Sequence, residues 1–296
     1  MKTEKNILIA FLLNLSFSLF EMVGGALTGS VAIPSDAVHD LGDAVSIGLA
    51  WLLERKSRRQ PDDTHTYGYA RYSVLGSVIT TLILLLGSVL VLVNALRRLL
   101  APVAIHYDGM IIFAIVGVVT NFLAAWMTRE GDSMNQKAVN LHMLEDVLGW
   151  GVVLVGAVVM RFTDLAIIDP LMSMGVAAFI LVHAAQNLRE ALDLFLLKTP
   201  AGLEPAEIAA HVTAIEGVAD VHHIHLWSLD GVHHHATMHV VADGDTHAIK
   251  HAIREELAEH GVTHVTLEFE SPDETCHAPH CHVEMHPGHS HHHHHH

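Results

Sequence analysis

Hydrophobic residues are concentrated in six long stretches within the first two thirds of the chain. Each stretch is close to the roughly 20 apolar residues that an α-helix needs to cross the hydrocarbon core of a bilayer. The pattern therefore predicts six transmembrane helices over residues 1–199. Their expected spans are about 7–28, 32–53, 73–95, 108–128, 138–160 and 168–196.

The hydrophobic pattern changes after Pro200, where Gly202 and Pro205 interrupt the helical periodicity. Asp230-Gly231 lies between two alternating apolar segments, which is typical of a hairpin turn. We expect a small α+β domain over residues 200–271 with the element order αββαβ. Its predicted helices are 205–215 and 246–260, and its predicted strands are 218–229, 234–241 and 262–270.

The amino-acid composition agrees with a membrane protein that carries a smaller soluble part. Hydrophobic residues make up 51% of the 296 residues and charged residues 16%, whereas ordinary soluble domains contain roughly 25% charged residues. Mean hydropathy is +0.36. Cys276 and Cys281 are the only two cysteines in the sequence, so no disulfide framework is expected. Histidine is abundant at 28 residues, and the terminal run 291–296 is interpreted as a purification tag.

Charge is distributed unevenly along the chain. From Ala201 onward there are 15 acidic and two basic residues. Such a surface attracts cations and does not suit nucleic acid or anionic lipid, although acidic surfaces also serve solubility alone. The connectors between the hydrophobic stretches carry 11 basic residues on one side and 3 on the other. The positive-inside rule then predicts that both termini and the acidic domain are cytoplasmic.

Histidines and aspartates interrupt two of the predicted spans. The second span contains His39-x-x-x-Asp43, and the fifth contains His142-x-x-x-Asp146. An aspartate at a helix centre costs roughly 2.5–3.5 kcal/mol on insertion scales, so such residues are expected to face the helix bundle. Because residues i and i+4 lie on one helix face, each helix presents one imidazole and one carboxylate in the same direction.

Two such faces in opposition offer two nitrogen and two oxygen ligands, a tetrahedral set that suits Zn²⁺. Mn²⁺ and Mg²⁺ prefer more oxygen ligands in octahedral geometry, whereas entry of Co²⁺ or Cd²⁺ stays open. A polar helix–helix contact is the structural alternative. Asp40 and Glu145 lie beside the two motifs and are candidates for proton acceptors, outer hydrogen-bond partners or helix contacts. Asp36 lies about one turn before His39, where it suits an access role.

A resemblance to a known family is carried by four stretches: SDAVHDLGDAVSIGLAW, PDDTHTYGYARYSVLG, NLHMLEDVLGW and VHHIHLWSL. The sequence resembles the cation diffusion facilitators, in particular the bacterial zinc exporters. The resemblance implies six transmembrane helices, a ferredoxin-like αββαβ cytoplasmic domain, a homodimer in the bacterial inner membrane, and metal/proton antiport. It also implies a transport site at His39, Asp43, His142 and Asp146. A histidine at position 39 is the pattern associated with zinc over cadmium.

The resemblance implies further metal sites outside the membrane. Cytoplasmic zinc ligands of family members match His222, His239, His251, Glu268 and Glu270. The two glutamates stand where those members have a histidine and an aspartate. Additional histidines of the domain are weaker candidates: His223, His225, His233, His234 and His235.

The loop after the second span carries a metal site in some members of the family. Asp62 and His65 match that site, whereas Tyr69 stands where those members have a second histidine. A hydrated basic loop without metal is the alternative.

The tail over residues 272–290 is rich in thiol and imidazole groups. Its candidate ligands are Cys276, His277, His280, Cys281 and His282. In a reducing cytoplasm this composition indicates metal binding and not a disulfide. The tail would pass Zn²⁺ on or complete the site of the preceding domain, and an unstructured tail is the alternative.

Together these features predict a secondary transporter, not an enzyme, that exports Zn²⁺ in exchange for protons. Metal requires neutral imidazoles and ionised carboxylates, so protons and metal compete near neutral pH. A zinc sensor without flux and an importer that uses the same site are the open alternatives. An intramembrane zinc protease would need HExxH, and the segment that begins at His142 lacks the second histidine. Divalent metal is also expected to draw two facing acidic domains together.

Overall fold

The computed structural model of the protein describes residues 2–28, 32–100, 110–131, 133–162, 167–274 and 276. The chain divides into two compact units. The first contains the residues up to Lys198 together with Leu229–Val232, and the second contains Thr199–Ser228 and the residues from His233 onward. Six long helices form the first unit. They are α1 (Lys2–Thr28), α2 (Ala32–Ser57), α3 (Arg71–Leu100), α4 (Met110–Thr128), α5 (Met134–Phe162) and α6 (Ile168–Phe195). Each helix overlaps one predicted hydrophobic stretch, and several extend beyond it because polar residues continue the helix.

The six helices differ in how well they suit a membrane. Within the described ranges, Arg71–Arg97 and Met134–Gly156 are long and apolar enough to cross a bilayer, and Ala114–Thr128 is a shorter apolar helix. α2 has sufficient length, but its four acidic residues lower its hydropathy. The count of six spans therefore stays a prediction.

Large apolar side chains lie exposed on the outer faces of these helices. Val45 of α2, Leu86 of α3 and Phe122 of α4 are examples. Soluble monomers rarely expose extensive apolar surface, because it is unfavourable in water. Such faces suit contact with lipid.

A buried core joins four of the helices. Ile7 of α1, Ile47 of α2, Ala124 of α4 and Met143 of α5 belong to one cluster. Small residues such as alanine allow membrane helices to approach closely. The cluster brings α2 and α5, which carry the two His-x-x-x-Asp motifs, into the same part of the bundle.

Buried polar side chains add specific links between helices. Glu54 of α2 accepts hydrogen bonds from Ser73 Oγ of α3 and from Ser133 Oγ, each at 2.8 Å. Asn187 of α6 donates a hydrogen bond of 2.6 Å to Thr81 Oγ1 of α3. Hydrogen bonds of this kind help to determine which helices pair, because apolar side chains gain little by leaving lipid.

The second unit contains a small mixed sheet covered by two helices. Its elements are α7 (Pro205–Thr213), β1 (Val218–Ser228), β2 (His234–Ala242), α8 (Thr246–Glu259) and β3 (Val262–Glu270). β1 pairs antiparallel with β2, and β2 pairs parallel with β3. Their ends lie within two residues of the predicted ones. Ile208 and Val212 of α7, Met238 of β2, and Ile253 and Leu257 of α8 form much of the core.

A bulge in β1 shapes one edge of this sheet. The pairing register shifts between His222 and His225, and His223 has a φ of 51°. Bulges bend a strand and redirect side chains, and positive φ is uncommon outside glycine. His222 is paired with His239 across the two strands. The topology thus places histidines of β1 and β2 together at this edge.

Candidate metal centres

A group of potential ligands lies between α2 and α5, with Asp43 and His142 buried and Asp146 half-buried. It consists of Asp43 on α2 with His142 and Asp146 on α5, and one ligand atom from each lies within 4.8 Å of the others. His142 Nε2 is 3.5 Å from Asp43 Oδ1. The i, i+4 spacing of His142 and Asp146 puts both on one face of α5, as the motif predicts. The structure therefore brings together three of the four residues of the predicted transport site.

The imidazole of His142 is unusual in its surroundings. Its residue is 3% exposed, and within the described residues neither ring nitrogen makes a hydrogen bond. A buried polar atom without a partner costs free energy, so such atoms call for an explanation. Asp146 Oδ2 accepts a long hydrogen bond of 3.5 Å from Asn14 Nδ2 of α1. A divalent cation between these groups would satisfy both the imidazole nitrogen and the two carboxylates.

The fourth predicted ligand, His39, lies on α2 one helical turn before Asp43. Its side chain is outside the part of the chain that the structure describes, as is that of Asp36. The four-ligand set therefore stays a prediction. Glu145, beside the motif, accepts a hydrogen bond of 2.6 Å from Ser88 Oγ of α3. That bond is a polar helix contact, one of the roles considered for Glu145.

The loop after α2 holds Asp62 and His65 in one turn, but Asp62 is already bonded by its own loop. Tyr69 Oη donates to Asp62 Oδ2 at 2.6 Å, and Thr64 Oγ1 donates to Oδ1 at 2.7 Å. The hydrogen bond from Tyr69, with those from Thr64 and the His65 amide, lowers the pKa of Asp62 well below its ordinary value. Tyr69, which stands where some members of the family have a second histidine, thus bonds a carboxylate oxygen that a metal would use.

A second group of ligands lies beside the bulge in β1 and takes residues from all three strands. It contains His222, His239, Glu270 and Cys276. Glu270 links the two imidazoles, since Oε1 lies 2.7 Å from His239 Nδ1 and Oε2 lies 3.3 Å from His222 Nε2. Cys276 Sγ lies 3.8 Å from His239 Nδ1. We call these four residues the sheet-edge group.

The electrostatics of the sheet-edge group favour an ionised carboxylate. Burial raises the pKa of Glu270, but hydrogen bonds with Cys276 and His239 outweigh that effect and the pKa lies below its ordinary value. A charged carboxylate with two imidazoles and a thiol is a donor set typical of Zn²⁺.

Two predicted ligands lie outside the sheet-edge group. His251 is exposed on α8, where its Nδ1 is 3.4 Å from Glu255 Oε2. Glu268 is exposed and lies 3.3 Å from His239 Nε2, on the other side of that ring from Glu270. Cys276 of the tail lies in the group, which agrees with the second role expected for the tail, to complete the site of the preceding domain.

Several other predicted ligands lie beyond the part of the chain that the structure describes, and others lie within it. His277, His280, Cys281 and His282 lie outside the described residues. Among the weaker candidates, His235 is buried and its ring stacks on Trp227 at a centroid distance of 5.4 Å. That contact is a packing role.

A third group was missed by the sequence analysis. His211, Glu256 and His260 bring ligand atoms within 4.8 Å of one another. Hydrogen bonding to His211 is the largest cause that lowers the pKa of Glu256 below its ordinary value. The spacing Glu256-x-x-x-His260 was a detectable local signal, but His211 lies 45 positions before Glu256.

Comparison with known families follows the same division of the chain. The cation efflux transmembrane domain matches residues 7–196, and the cytoplasmic domain of cation efflux proteins matches residues 200–272. This protein belongs to the cation efflux family. The resemblance inferred from the sequence is thereby confirmed, and the protein is a membrane transporter of metal cations, not an enzyme.

Individual relatives match over most of their length. The chain is 32% identical to a protein named zinc transporter ZitB of Pectobacterium atrosepticum, with 97% of this chain and 93% of the relative covered. The zinc transporter ZitB of Escherichia coli has the same identity and coverage. A cadmium, cobalt and zinc/H(+)-K(+) antiporter of Bacillus subtilis is 29% identical, over 90% of this chain and 89% of the relative.

Proposed function

We propose that this cation efflux protein exports Zn²⁺ from the cytoplasm in exchange for protons. The transport site would consist of His39, Asp43, His142 and Asp146 between α2 and α5. The main support is the convergence of Asp43, His142 and Asp146, with both nitrogens of His142 lacking hydrogen bonds within the described chain. The names of the relatives, which include zinc transporters and an antiporter that uses protons, support the choice of ion and counter-ion.

Proton exchange follows from the chemistry of the ligands. Zn²⁺ binds neutral imidazole and ionised carboxylate, so each binding event displaces any protons that those groups hold. Ordinary imidazoles titrate near pH 6.5, close to the pH of cytoplasm. Zn²⁺ would load from the cytoplasmic side, and protons would displace it when the helices expose the site to the outside. Two Asp side chains also balance the charge of the ion.

The transporter would be a homodimer in the inner membrane, with six spans and both termini in the cytoplasm. The excess of basic residues in the connectors of one side supports this orientation. The match to the cytoplasmic domain of cation efflux proteins supports pairing of two chains through that domain.

The sheet-edge group would hold a second Zn²⁺ in the cytoplasmic domain. His222, His239, Glu270 and Cys276 offer four donors in a partly buried position. Because two acidic domains repel, metal bound at this edge would favour their approach. The site would therefore report the cytoplasmic zinc level to the dimer.

Zinc flux in proteoliposomes tests the transport proposal. Wild type should move Zn²⁺ when a pH gradient is imposed, whereas Asp43→Ala and Asp146→Ala should reduce flux by more than about 100-fold, since direct ligands count for more than outer partners. Asp63→Ala, in the exposed loop, is the matched control and should retain flux.

The same assay separates the alternatives. Zinc binding without flux in the wild type would indicate a sensor and overturn the transport proposal. Flux that ignores the pH gradient would overturn antiport, and flux only toward the face that carries the cytoplasmic domain would indicate an importer.

A further inference from the structure

Three side chains from two helices of the cytoplasmic unit converge on one point. They are His211 of α7, Glu256 of α8, and His260 directly after α8. Glu256 Oε1 lies 2.7 Å from His211 Nδ1 and 3.4 Å from His260 Nε2. The two imidazole nitrogens are 3.1 Å apart. We call these three residues the helix triad.

The edges of this triangle match the spacing of ligands around Zn²⁺. With bonds of about 2.0–2.1 Å and tetrahedral angles, neighbouring donor atoms lie roughly 3.3 Å apart. The three observed distances of 2.7, 3.1 and 3.4 Å lie around that value. A small adjustment of the side chains would therefore bring all three atoms into the first shell of one ion.

Hydrogen bonds to Glu256 account for two edges of the triangle, because His211 and His260 both bond its carboxylate. In that arrangement both imidazole nitrogens carry a proton, so the contact of 3.1 Å between them is not a hydrogen bond. The two rings are nearly perpendicular, at 84°, so they do not stack as a packing pair. A divalent ion would be bonded to all three atoms at once.

The helices that carry the helix triad are packed against the core of the domain. Ile208 and Val212 flank His211 on α7, and both are buried in the core of the domain. Ile253 and Leu257 anchor α8 in the same way around Glu256. Glu256 and His260 are separated by four positions, which places them on one side of the helix end. Two of the ligands thus lie on packed helices, and the third, His260, is the C-cap residue of α8.

We propose that the helix triad is a further metal site, which takes Zn²⁺ or an ion of similar preference through three protein ligands and water. The triad shares no residue with the transport site or with the sheet-edge group. The side chains of His211, Glu256 and His260 are 40%, 32% and 24% exposed, so the ion exchanges directly with the cytoplasm. Bound metal would join α7 to α8. This inference does not depend on the transport proposal.

Zinc content measured on the full-length protein tests the helix triad. Wild type and variants are dialysed in detergent against buffered free Zn²⁺, and zinc per chain is determined by mass spectrometry. His211→Ala and His260→Ala should each lose one ion per chain, and the double variant should lose no more than either single one. His247→Ala, on the exposed start of α8, is the matched control and should lose none.

A conservative variant tests the helix triad with less risk that the protein fails to fold. Glu256→Gln keeps the size of the side chain and one acceptor oxygen. It should raise the free Zn²⁺ concentration needed for half-occupancy by at least roughly tenfold, because loss of even an outer hydrogen-bond partner weakens metal binding by that factor. Circular dichroism establishes that each variant is folded. Unchanged zinc content in folded His211→Ala and His260→Ala, or an equal loss in His247→Ala, would overturn the proposal and leave the triad as a contact between helices.

Discussion

Asp43, His142 and Asp146, which we call the transport group, use side chains similar to those of the sheet-edge group. The two groups differ in the contacts that their imidazoles already make with carboxylates. In the membrane unit, His142 is buried and its nitrogens make no hydrogen bond within the described chain. In the cytoplasmic unit, His222 and His239 each lie within 3.3 Å of an oxygen of Glu270. In the first group His142 Nε2 lies 3.5 Å from Asp43 Oδ1. In the second group His239 Nδ1 and Glu270 Oε1 are already hydrogen-bonded at 2.7 Å, so an ion must share or displace that bond.

This difference suits different tasks. A transport site must bind its ion and release it within one cycle, so ligands that protons can occupy in turn are an advantage. A site within a folded domain can keep its ion for longer, because the carboxylate partners orient the imidazoles before metal arrives. The loop around Asp62 is the extreme case, since its own hydroxyl groups satisfy both carboxylate oxygens.

The largest expected effect is a difference in zinc flux between two variants, one of His142 in the transport group and one of His239 in the sheet-edge group. His142→Ala should reduce zinc flux in proteoliposomes by more than about 100-fold, because it removes a direct ligand of the transported ion. His239→Ala should keep most of its flux, since it leaves the ligands of the transported ion intact and removes only the effect of zinc on the approach of the two cytoplasmic domains. Equal loss in both variants would mean that the two sites do not have separate roles.

An intermediate effect is expected from the thiol of the sheet-edge group. Cys276→Ser should weaken metal binding at this edge by roughly tenfold or more, because a thiolate is a stronger zinc ligand than a hydroxyl. With Co²⁺ in place of Zn²⁺, the variant should lose the thiolate-to-cobalt charge-transfer absorption. Cys281→Ser is the control with the same chemistry. Loss of the band in Cys281→Ser alone would remove Cys276 from the group.

The smallest expected effect concerns the loop of Asp62. Tyr69→Phe keeps the ring, which stacks on His65 at 4.2 Å, and removes the hydroxyl that bonds Asp62. Because that bond lowers the pKa of Asp62, its stabilising effect is present above the ordinary carboxyl pKa of about 3.9 and declines as the pH falls toward the lower folded value.

Thermal unfolding in detergent measures this effect. Tyr69→Phe should melt slightly below wild type at pH 7, and the difference should narrow progressively below about pH 4. Tyr72→Phe, on a ring 5.7 Å from that of Tyr69, is the matched control. A difference that is independent of pH would assign the effect to packing and not to the Asp62 carboxylate.

Much of the architecture was predictable because its signals are local. The six hydrophobic stretches each correspond to a long helix, and the alternating segments after Pro200 correspond to three strands. Two His-x-x-x-Asp motifs indicated a metal site because i, i+4 spacing fixes a common helix face. The same rule explains why Asp146 was found together with His142.

Other features depended on contacts that no local pattern contains. His251 matched a family ligand, yet its position on α8 leaves it exposed beside Glu255. Cys276 follows the last strand, and its place beside His239 depends on how the chain turns after Glu270. Tyr69 stands where some members of the family have a histidine, but its hydrogen bond to Asp62 was visible only in the folded loop.

Periodicity within one helix or strand thus sufficed to predict the helices and strands and the common helix face of His142 and Asp146. Local spacing carries this information because neighbours in sequence are also neighbours on an element's surface. Which ligands meet was decided by the packing of α2 against α5, by the bulge in β1 and by the approach of α7 to α8. These depend on contacts between residues far apart in the chain. The family resemblance indicated His222, His239 and Glu270 as ligands, but the arrangement of the sheet-edge group and the helix triad itself emerged only from the folded structure.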